Sequence, residues 1–180
     1  MKKRYEAVIN FARYDFLPLH WGACIGETNL METKSVLEIK LASQQVRRGQ
    51  DVNLTVQLKN TSSQRLWVNQ RMLLNIIQSP VTMREVWVDV VGPDGKQIPF
   101  SSHVRAGEAN VSDFKVLNPG QVVSKQISLS NNFDMEKPGV YQVTAHYQDG
   151  TKSIPKAPDG AAHLRELLSS APAKFELLAP

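Results

Sequence analysis

The clearest pattern in the chain is a regular alternation of apolar and polar residues over short segments. Every second residue is apolar over 52–59, and the same period returns over 139–147, directly after a turn at Pro138-Gly139. A period of two places alternate side chains on opposite faces of a β-strand. The apolar positions in these two segments are Val52, Leu54, Val56, Leu58, Tyr141, Val143, Ala145 and Tyr147. Both segments are therefore predicted to be strands of a sheet with one buried face.

Shorter segments repeat this alternation between turn-forming residues. The further apolar positions are Leu37, Ile39, Leu41, Leu66, Val68, Val86, Val88, Val90, Val123, Ile127, Leu129, Phe175 and Leu177. The turns between them include 60–63, 92–95 and 118–120, where Gly, Pro, Asn and Ser accumulate. About eight or nine strands at this spacing predict an antiparallel β-sandwich rather than parallel βαβ units.

Tyr141 makes the predicted fold more specific. It follows Pro138-Gly139 at the start of a late strand, the position from which a tyrosine in immunoglobulin-like sandwiches bonds back to the preceding loop. The chain resembles that class, and we predict an all-β, immunoglobulin/fibronectin-III-like antiparallel β-sandwich over residues 34–180. Tyr141 should be buried, with its hydroxyl bonded to the backbone of residues 131–137.

Two segments depart from the strand pattern. Residues 1–33 have no clean period and are predicted to be an N-terminal extension; an apolar stripe from Tyr5 to Phe16 could form a short helix that docks on the sandwich or on a partner. Near the other end, Asp159 could cap a short helix carrying Leu164, Leu167 and Leu168 on one side. A helical insertion at about 159–170 is therefore predicted before the last strand.

Composition excludes several classes of function. The formal net charge is +4, and the basic groups at 2–4 and 47–48 lack interleaved aromatic residues, so we expect no nucleic-acid partner. One cysteine, Cys24, excludes an intramolecular disulfide. No apolar run is long enough for a membrane span. A basic start is followed by Arg13 and Asp15, so no clear signal peptide is expected, and the compartment stays open with export or the cell envelope slightly favoured.

The residues that could carry chemistry form no catalytic pattern. None of the four histidines belongs to an H-E-x-x-H motif. His163 and Glu166, three positions apart, are interpreted as part of a solvent-exposed helix face. Cys24 has no histidine in a patterned position. We therefore predict no catalytic, cofactor-binding or metal-binding residues and a non-enzymatic protein. An enzyme of unrecognised type would need polar groups converging in a pocket, which a sequence does not reveal.

An ordered series of motifs carries a family resemblance. Val86–Asp89 is followed by Asp94–Phe100, then Asp113–Gly120 with its Leu-Asn-Pro-Gly, then Lys137–Val143 with its Pro-Gly-Val-Tyr. This order resembles the non-catalytic N-terminal domain of deuterolysin-like zinc metalloendopeptidases, although Phe100 replaces a tyrosine of that pattern. The last two motifs also resemble bacterial intracellular proteinase inhibitors. These resemblances imply a bacterial accessory domain associated with a protease, or an inhibitor of one.

Residues 70–83 contain the candidate binding surface. They hold a cluster of apolar residues closed by Ser79-Pro80, which reads either as a lid over one end of the sandwich or as a surface facing a partner. The candidate partner-binding residues are Met72, Leu73, Leu74, Ile76, Ile77 and Met83. We predict a non-catalytic protein-interaction (accessory) domain without a cofactor, whose partner is another protein, a protease being one candidate, or a second copy. The alternative is a protease inhibitor or prodomain-like regulator that uses residues 71–83 and 101–110.

Overall fold

The structure is a computed structural model, and it describes residues 35–74, 85–102, 107, 109–151 and 155–179. The chain divides into one unit of Met1–Leu30 and another of Met31–Pro180. All described residues belong to the second unit. The predicted extension over 1–33 lies outside them, so the boundary between it and the sandwich stays a prediction.

Strands dominate the described residues. They are β1 (Ser35–Leu41), β2 (Gln45–Arg47), β3 (Asn53–Asn60), β4 (Arg65–Asn69), β5 (Val86–Val91), β6 (Gln97–Ile98), β7 (Phe114–Leu117), β8 (Val122–Ser128), β9 (Gly139–Tyr147), β10 (Ala161–His163), β11 (Leu168–Ser169) and β12 (Ala173–Leu178). The described part of the chain contains no α-helix and one 3-10 turn, Val111–Asp113. The prediction of an all-β fold is confirmed.

The strand order is that of an immunoglobulin-like sandwich. One sheet has the order β1-β3-β8, and a second has the order β2-β12-β9-β5-β6, with β11 also pairing with β9. The order β1-β3-β8 corresponds to strands A-B-E of the immunoglobulin fold, and β12-β9-β5-β6 corresponds to G-F-C-C′. β2 lies parallel to β12, and Gln45 Nε2 donates to Glu176 Oε2 over 3.0 Å. A third sheet has the order β10-β4-β7, and it is connected to the first along the chain, because β4 follows β3 and β7 precedes β8.

The core lies between the alternating faces that the sequence predicted. Leu54, Val56 and Leu58 of β3 have no exposed surface, and neither do Val143 and Ala145 of β9. Burial of an aliphatic side chain of this size contributes about 1.5–3 kcal/mol relative to exposure. Apolar burial on these two strands therefore holds the two main sheets together without a disulfide.

Two tyrosines fix opposite ends of β9. Tyr141 is 1% exposed, and its hydroxyl donates to the carbonyl of Lys137 over 2.7 Å, which confirms the predicted tyrosine corner. Its ring stacks on Phe175 at 5.2 Å. At the other end, the Tyr147 hydroxyl accepts from Asn69 N over 3.2 Å and donates to Asn69 O over 3.3 Å. Burial raises the pKa of both phenols still further above physiological pH, and each hydroxyl keeps the proton that it donates.

Asn60 fastens the bend between β3 and β4. Its side chain is fully buried, and Nδ2 donates to the carbonyls of Gln64 at 2.8 Å and Leu117 at 2.9 Å. Oδ1 accepts from Ser62 N at 3.0 Å and from Ser62 Oγ at 2.8 Å. One amide therefore provides hydrogen-bond partners both within the turn and on the neighbouring strand β7.

The helical insertion predicted at about 159–170 is wrong. A turn closed by Ala161 N and Pro158 O at 3.0 Å leads into β10, which pairs with β4, and residues 168–169 form β11 beside β9. Leu164 and Leu168 are buried, whereas Leu167 is 55% exposed. Pairing with β4 and β9 gives this segment backbone hydrogen bonds and buried contacts, whereas an isolated helix of two turns is only marginally stable. The sequence did not reveal this, because a short apolar run is compatible with either a helix or a strand.

Replacing Tyr141 with Phe should lower the free energy of unfolding by about 1–2 kcal/mol, because the carbonyl of Lys137 loses its donor while the ring still packs. Urea denaturation measures the change. The slope with denaturant should stay constant, and an unchanged midpoint would show that the corner does not contribute to stability.

Asn60 and Asn53 provide a matched pair on one strand. Asn60→Ala should cost about 2–4 kcal/mol, because several hydrogen bonds to buried groups disappear together. Asn53 is exposed at the start of the same strand, so Asn53→Ala should change stability by less than about 0.5 kcal/mol. Thermal and urea unfolding of both variants compare the two; equal losses would contradict the role assigned to Asn60.

Candidate functional site

The described part of the predicted binding segment, residues 70–74, lies at the end of the sandwich beyond β4. Residues 70–74 leave β4, and Glu85 immediately precedes β5. Val86 N donates to Leu73 O over 3.1 Å, and Leu74 forms a parallel bridge with Val86. The residues on either side of segment 75–84 are thus held side by side.

A buried carboxylate strengthens this junction. Glu85 is 2% exposed, and its Oε1 accepts from both Nε and Nη2 of Arg71, the first over 2.9 Å. Its Oε2 accepts from Leu73 N over 2.7 Å. A buried carboxylate is costly unless it is paired and fully hydrogen-bonded, and these three donors provide that compensation.

Arg71 also reaches a second segment. Its Nη1 donates to the carbonyl of Gly107 over 3.1 Å and lies 3.7 Å from Asp113 Oδ2. Asp113 is itself held in the 3-10 turn, where Oδ2 accepts from Asn110 N over 2.8 Å. Gln70 N adds a bond of 2.8 Å to Asp113 O. One guanidinium therefore links the two segments, 71–83 and 101–110, that the sequence proposed as contact regions.

The predicted partner-binding residues occupy different environments. Met72 is fully buried in the core, with a φ of 47°, and Leu73 and Leu74 are half-buried. Leu74 packs against the core cluster. Ile76, Ile77 and Met83 lie outside the described residues, so their role stays a prediction. Met72 thus behaves as the lid interpretation requires, and Leu73 and Leu74 retain accessible surface.

Sequence reasoning missed the residues that organise this end. Arg71 and Glu85 stand 14 positions apart, on either side of a segment without a period, so no local pattern relates them. The available signal was the position of Glu85, a charged residue directly before a strand whose first residue is buried. Such a carboxylate needs a cation nearby, and Arg71 is the first basic residue after β4.

The two described histidines are paired with carboxylates. His146 has Nδ1 2.8 Å from Ser169 Oγ and Nε2 3.1 Å from Asp89 Oδ2, on the outer face of β9, and its ring stacks on Trp87 at 5.1 Å. His163 Nε2 lies 2.6 Å from Asp149 Oδ2. Among the described residues, no three His, Cys, Asp or Glu side chains form a metal-binding group.

Trp67 lies near the second of these pairs. It is 7% exposed and stacks on Phe114 at 5.6 Å, while Phe114 meets the ring of His163 edge-on at 5.7 Å. Trp67 therefore packs against its neighbours in the sandwich and is not an exposed aromatic surface. In the described part of the chain, no helix is long and apolar enough to cross a membrane.

Comparisons with known proteins give only distant similarities. No protein-family model matches the chain, and no curated protein matches it. Among solved structures, it is similar to the CARDB domain of the PF1109 protein from Pyrococcus furiosus, crystallised in complex with di-metal ions, with 12% identity, a TM-score of 0.39 and coverage of 81% of this chain and 94% of that one. It is also similar to native alpha-2-macroglobulin from Escherichia coli, spanning domain MG7 to the C-terminus, with 12% identity, a TM-score of 0.42 and coverage of 81% of this chain. The chain spans 16% of that second structure. The immunoglobulin-like assignment accordingly rests on the strand order and the tyrosine corner.

Arg71→Met should lower the free energy of unfolding by about 3–5 kcal/mol, because it leaves the Glu85 carboxylate buried without its cation. Adding Glu85→Gln to the same chain should restore most of this loss, since the amide is neutral and its oxygen still accepts from Leu73 N. Urea denaturation of the two variants at pH 7 tests this.

The exposed ion pair between Lys137 and Asp94, at 2.8 Å, supplies the control. Lys137→Met should change stability little, because solvent screens that pair. Equal losses for Arg71→Met and Lys137→Met, or no recovery in the double variant, would show that Arg71 does not act through Glu85.

Proposed function

We propose that the chain is a non-catalytic protein-interaction domain that contacts its partner at the end of the sandwich organised by Arg71. The observation that carries the proposal is the position of Arg71, which binds Glu85 beside one predicted contact segment and the carbonyl of Gly107 within the other. A rigid sandwich that holds two adjacent loops is a common arrangement for binding surfaces.

Accessible apolar surface at this end supports the proposal. Val111 is 64% exposed in the 3-10 turn, next to Ser112, whose carbonyl accepts from Gln70 Nε2 over 3.4 Å. Leu73 and Leu74 are half-buried on the facing segment. Apolar residues around a fixed guanidinium are typical of the centres of protein–protein interfaces, where aromatic residues and Arg are enriched.

A protease inhibitor or prodomain-like regulator is the second candidate. It is favoured by the contacts between the residues that flank 75–84, where Val86 N donates to Leu73 O and the Glu85 carboxylate accepts from Leu73 N. A segment presented to a protease binds more tightly when its ends are restrained, because less conformational entropy is lost on binding. The resemblance of residues 86–147 to deuterolysin-like accessory domains and to bacterial proteinase inhibitors supports the same candidate.

Variants at this end should lose binding while the fold is retained. The immobilised chain and the double variant Leu73→Ser/Val111→Ser are compared for partner capture from lysate of the source cell, and by analytical ultracentrifugation for self-association. Because the double variant lacks the apolar contacts of the interface, we expect it to capture at least about tenfold less of any partner that the native chain binds. Leu167→Ser, which alters a residue that is 55% exposed on the segment between β10 and β11, should bind normally.

Equal capture by both variants would place the binding surface elsewhere and overturn the proposal. Titration of purified protein against zinc and serine proteases separates the two candidate functions. Inhibition that the double variant loses supports the regulator, whereas unchanged activity of every protease removes it and leaves the general interaction domain.

A further inference from the structure

A cavity of about 400 Å³ lies at the opposite end of β9, where the tyrosine corner stands. It is formed by the turn between β5 and β6 and by the segment that leads into β9. Its lining residues are Gly92, Pro93, Asp94, Lys96, Gln97, Ile98, Pro99, Asp134, Glu136, Lys137 and Tyr141. This volume lies within the range of small-ligand sites in proteins, about 300–1,000 Å³.

Close packing fixes the walls of the cavity. Gly139 has a φ of +133°, and a Cβ at that position would lie 2.8 Å from Cβ and 2.9 Å from Cγ of Pro93. Only a glycine permits this approach of β9 to the turn after β5. The Tyr141 hydroxyl donates to the Lys137 carbonyl over 2.7 Å and fixes the backbone that leads into β9, while the exposed Lys137 Nζ lies 2.8 Å from Asp94 Oδ2 at the rim. The cavity is therefore preformed, which reduces the entropy lost when a ligand binds.

The cavity is lined by three carboxylates and two ammonium groups. Phe133 is buried and Met135 half-buried, so the alternate residues Asp134 and Glu136 turn outward and line the cavity. The third carboxylate, Asp94, is neutralised by Lys137, and the hydrogen bond from Lys137 lowers the pKa of Asp94. Among the lining residues, all of which belong to the described part of the chain, Lys96 is then the one cation left beside Asp134 and Glu136. The cavity is locally acidic in a chain whose net charge is +4.

Apolar groups complete the lining. The apolar residues Ile98, Pro93 and Pro99 line the cavity together with these carboxylates. The side chains of arginine and lysine combine a chain of methylene groups with a terminal cation, and they pack the methylenes on apolar surface while the charge meets a carboxylate. An apolar wall next to two carboxylates matches both parts of such a side chain.

We infer that this cavity binds the cationic side chain of an arginine- or lysine-containing peptide. The methylene groups pack on Ile98 and Pro99, and the cation meets Asp134 and Glu136. The site stands at the end of β9 opposite to Arg71 and shares no residue with the surface proposed above, so the two can fail independently.

N-acetyl-L-arginine amide and N-acetyl-L-citrulline amide provide a matched pair of probes, because citrulline keeps the shape of arginine without its charge. Each is titrated into the isotope-labelled chain at low salt, and amide resonances of Gln97, Ile98 and Lys137 are followed by NMR. We expect arginine to shift these resonances saturably and citrulline to bind at least about tenfold more weakly. Raising the ionic strength should weaken the arginine titration.

Variants of the chain test the same assignment. Asp134→Asn/Glu136→Gln should weaken arginine binding by at least about tenfold. The control Asp159→Asn/Glu166→Gln, which alters two exposed carboxylates outside the cavity, should leave it unchanged. Lys96→Gln should tighten binding, because it removes the competing cation. Equal binding of arginine and citrulline, no saturable shift with either probe, or native affinity in the Asp134→Asn/Glu136→Gln variant would each overturn the inference.

Discussion

The buried face of β9 is the constraint on which the rest of the structure depends. Three strands pair directly with β9, namely β5, β11 and β12, and its inward side chains belong to the same buried cluster as those of β3. Tyr141 and Tyr147 are the first and the last of the buried inward residues of β9. A separation of six residues in an extended strand places them about 20 Å apart. Each hydroxyl bonds to main chain, at Lys137 and at Asn69. The shape of both ends therefore depends on a single strand.

Each end of β9 supports a different surface. Near Tyr147, the bonded Asn69 lies two positions before Arg71, and Asn69 Oδ1 accepts from Arg71 N over 3.0 Å. This bond fixes the backbone of Arg71, the residue that forms the ion pair with Glu85. Such a buried pair adds little net stability compared with an apolar one, because desolvation offsets the attraction, but it restricts which segments can meet. Near Tyr141, the same strand forms a wall of a cavity with exposed charges.

The sequence predicted those parts of the fold in which one face of a strand is buried. β3 and β9 follow their alternation closely, and the tyrosine corner was recognisable from Pro138-Gly139. Residues 159–170 were misassigned because short strands at sheet edges depend on partners distant in the chain. The bond between Arg71 and Glu85 was missed for a similar reason, since it joins residues 14 positions apart that no local pattern relates. At the cavity, the alternation of Phe133 to Glu136 was visible in the sequence. The sequence did not show that these residues lie beside the turn between β5 and β6.

The parallel pairing of β2 with β12 has a consequence for how the chain acquires its structure. Gln45 and Glu176, which bond across this pair, are 131 positions apart. During synthesis, β2 is made before most of the other strands, and its partner β12 is made only after nearly all of them. Pairings of such high contact order slow folding, to milliseconds or seconds in β-sandwiches. Until then the β9 edge that β12 will cover remains open to other chains, so the nascent protein is most vulnerable to aggregation immediately before its last strand docks.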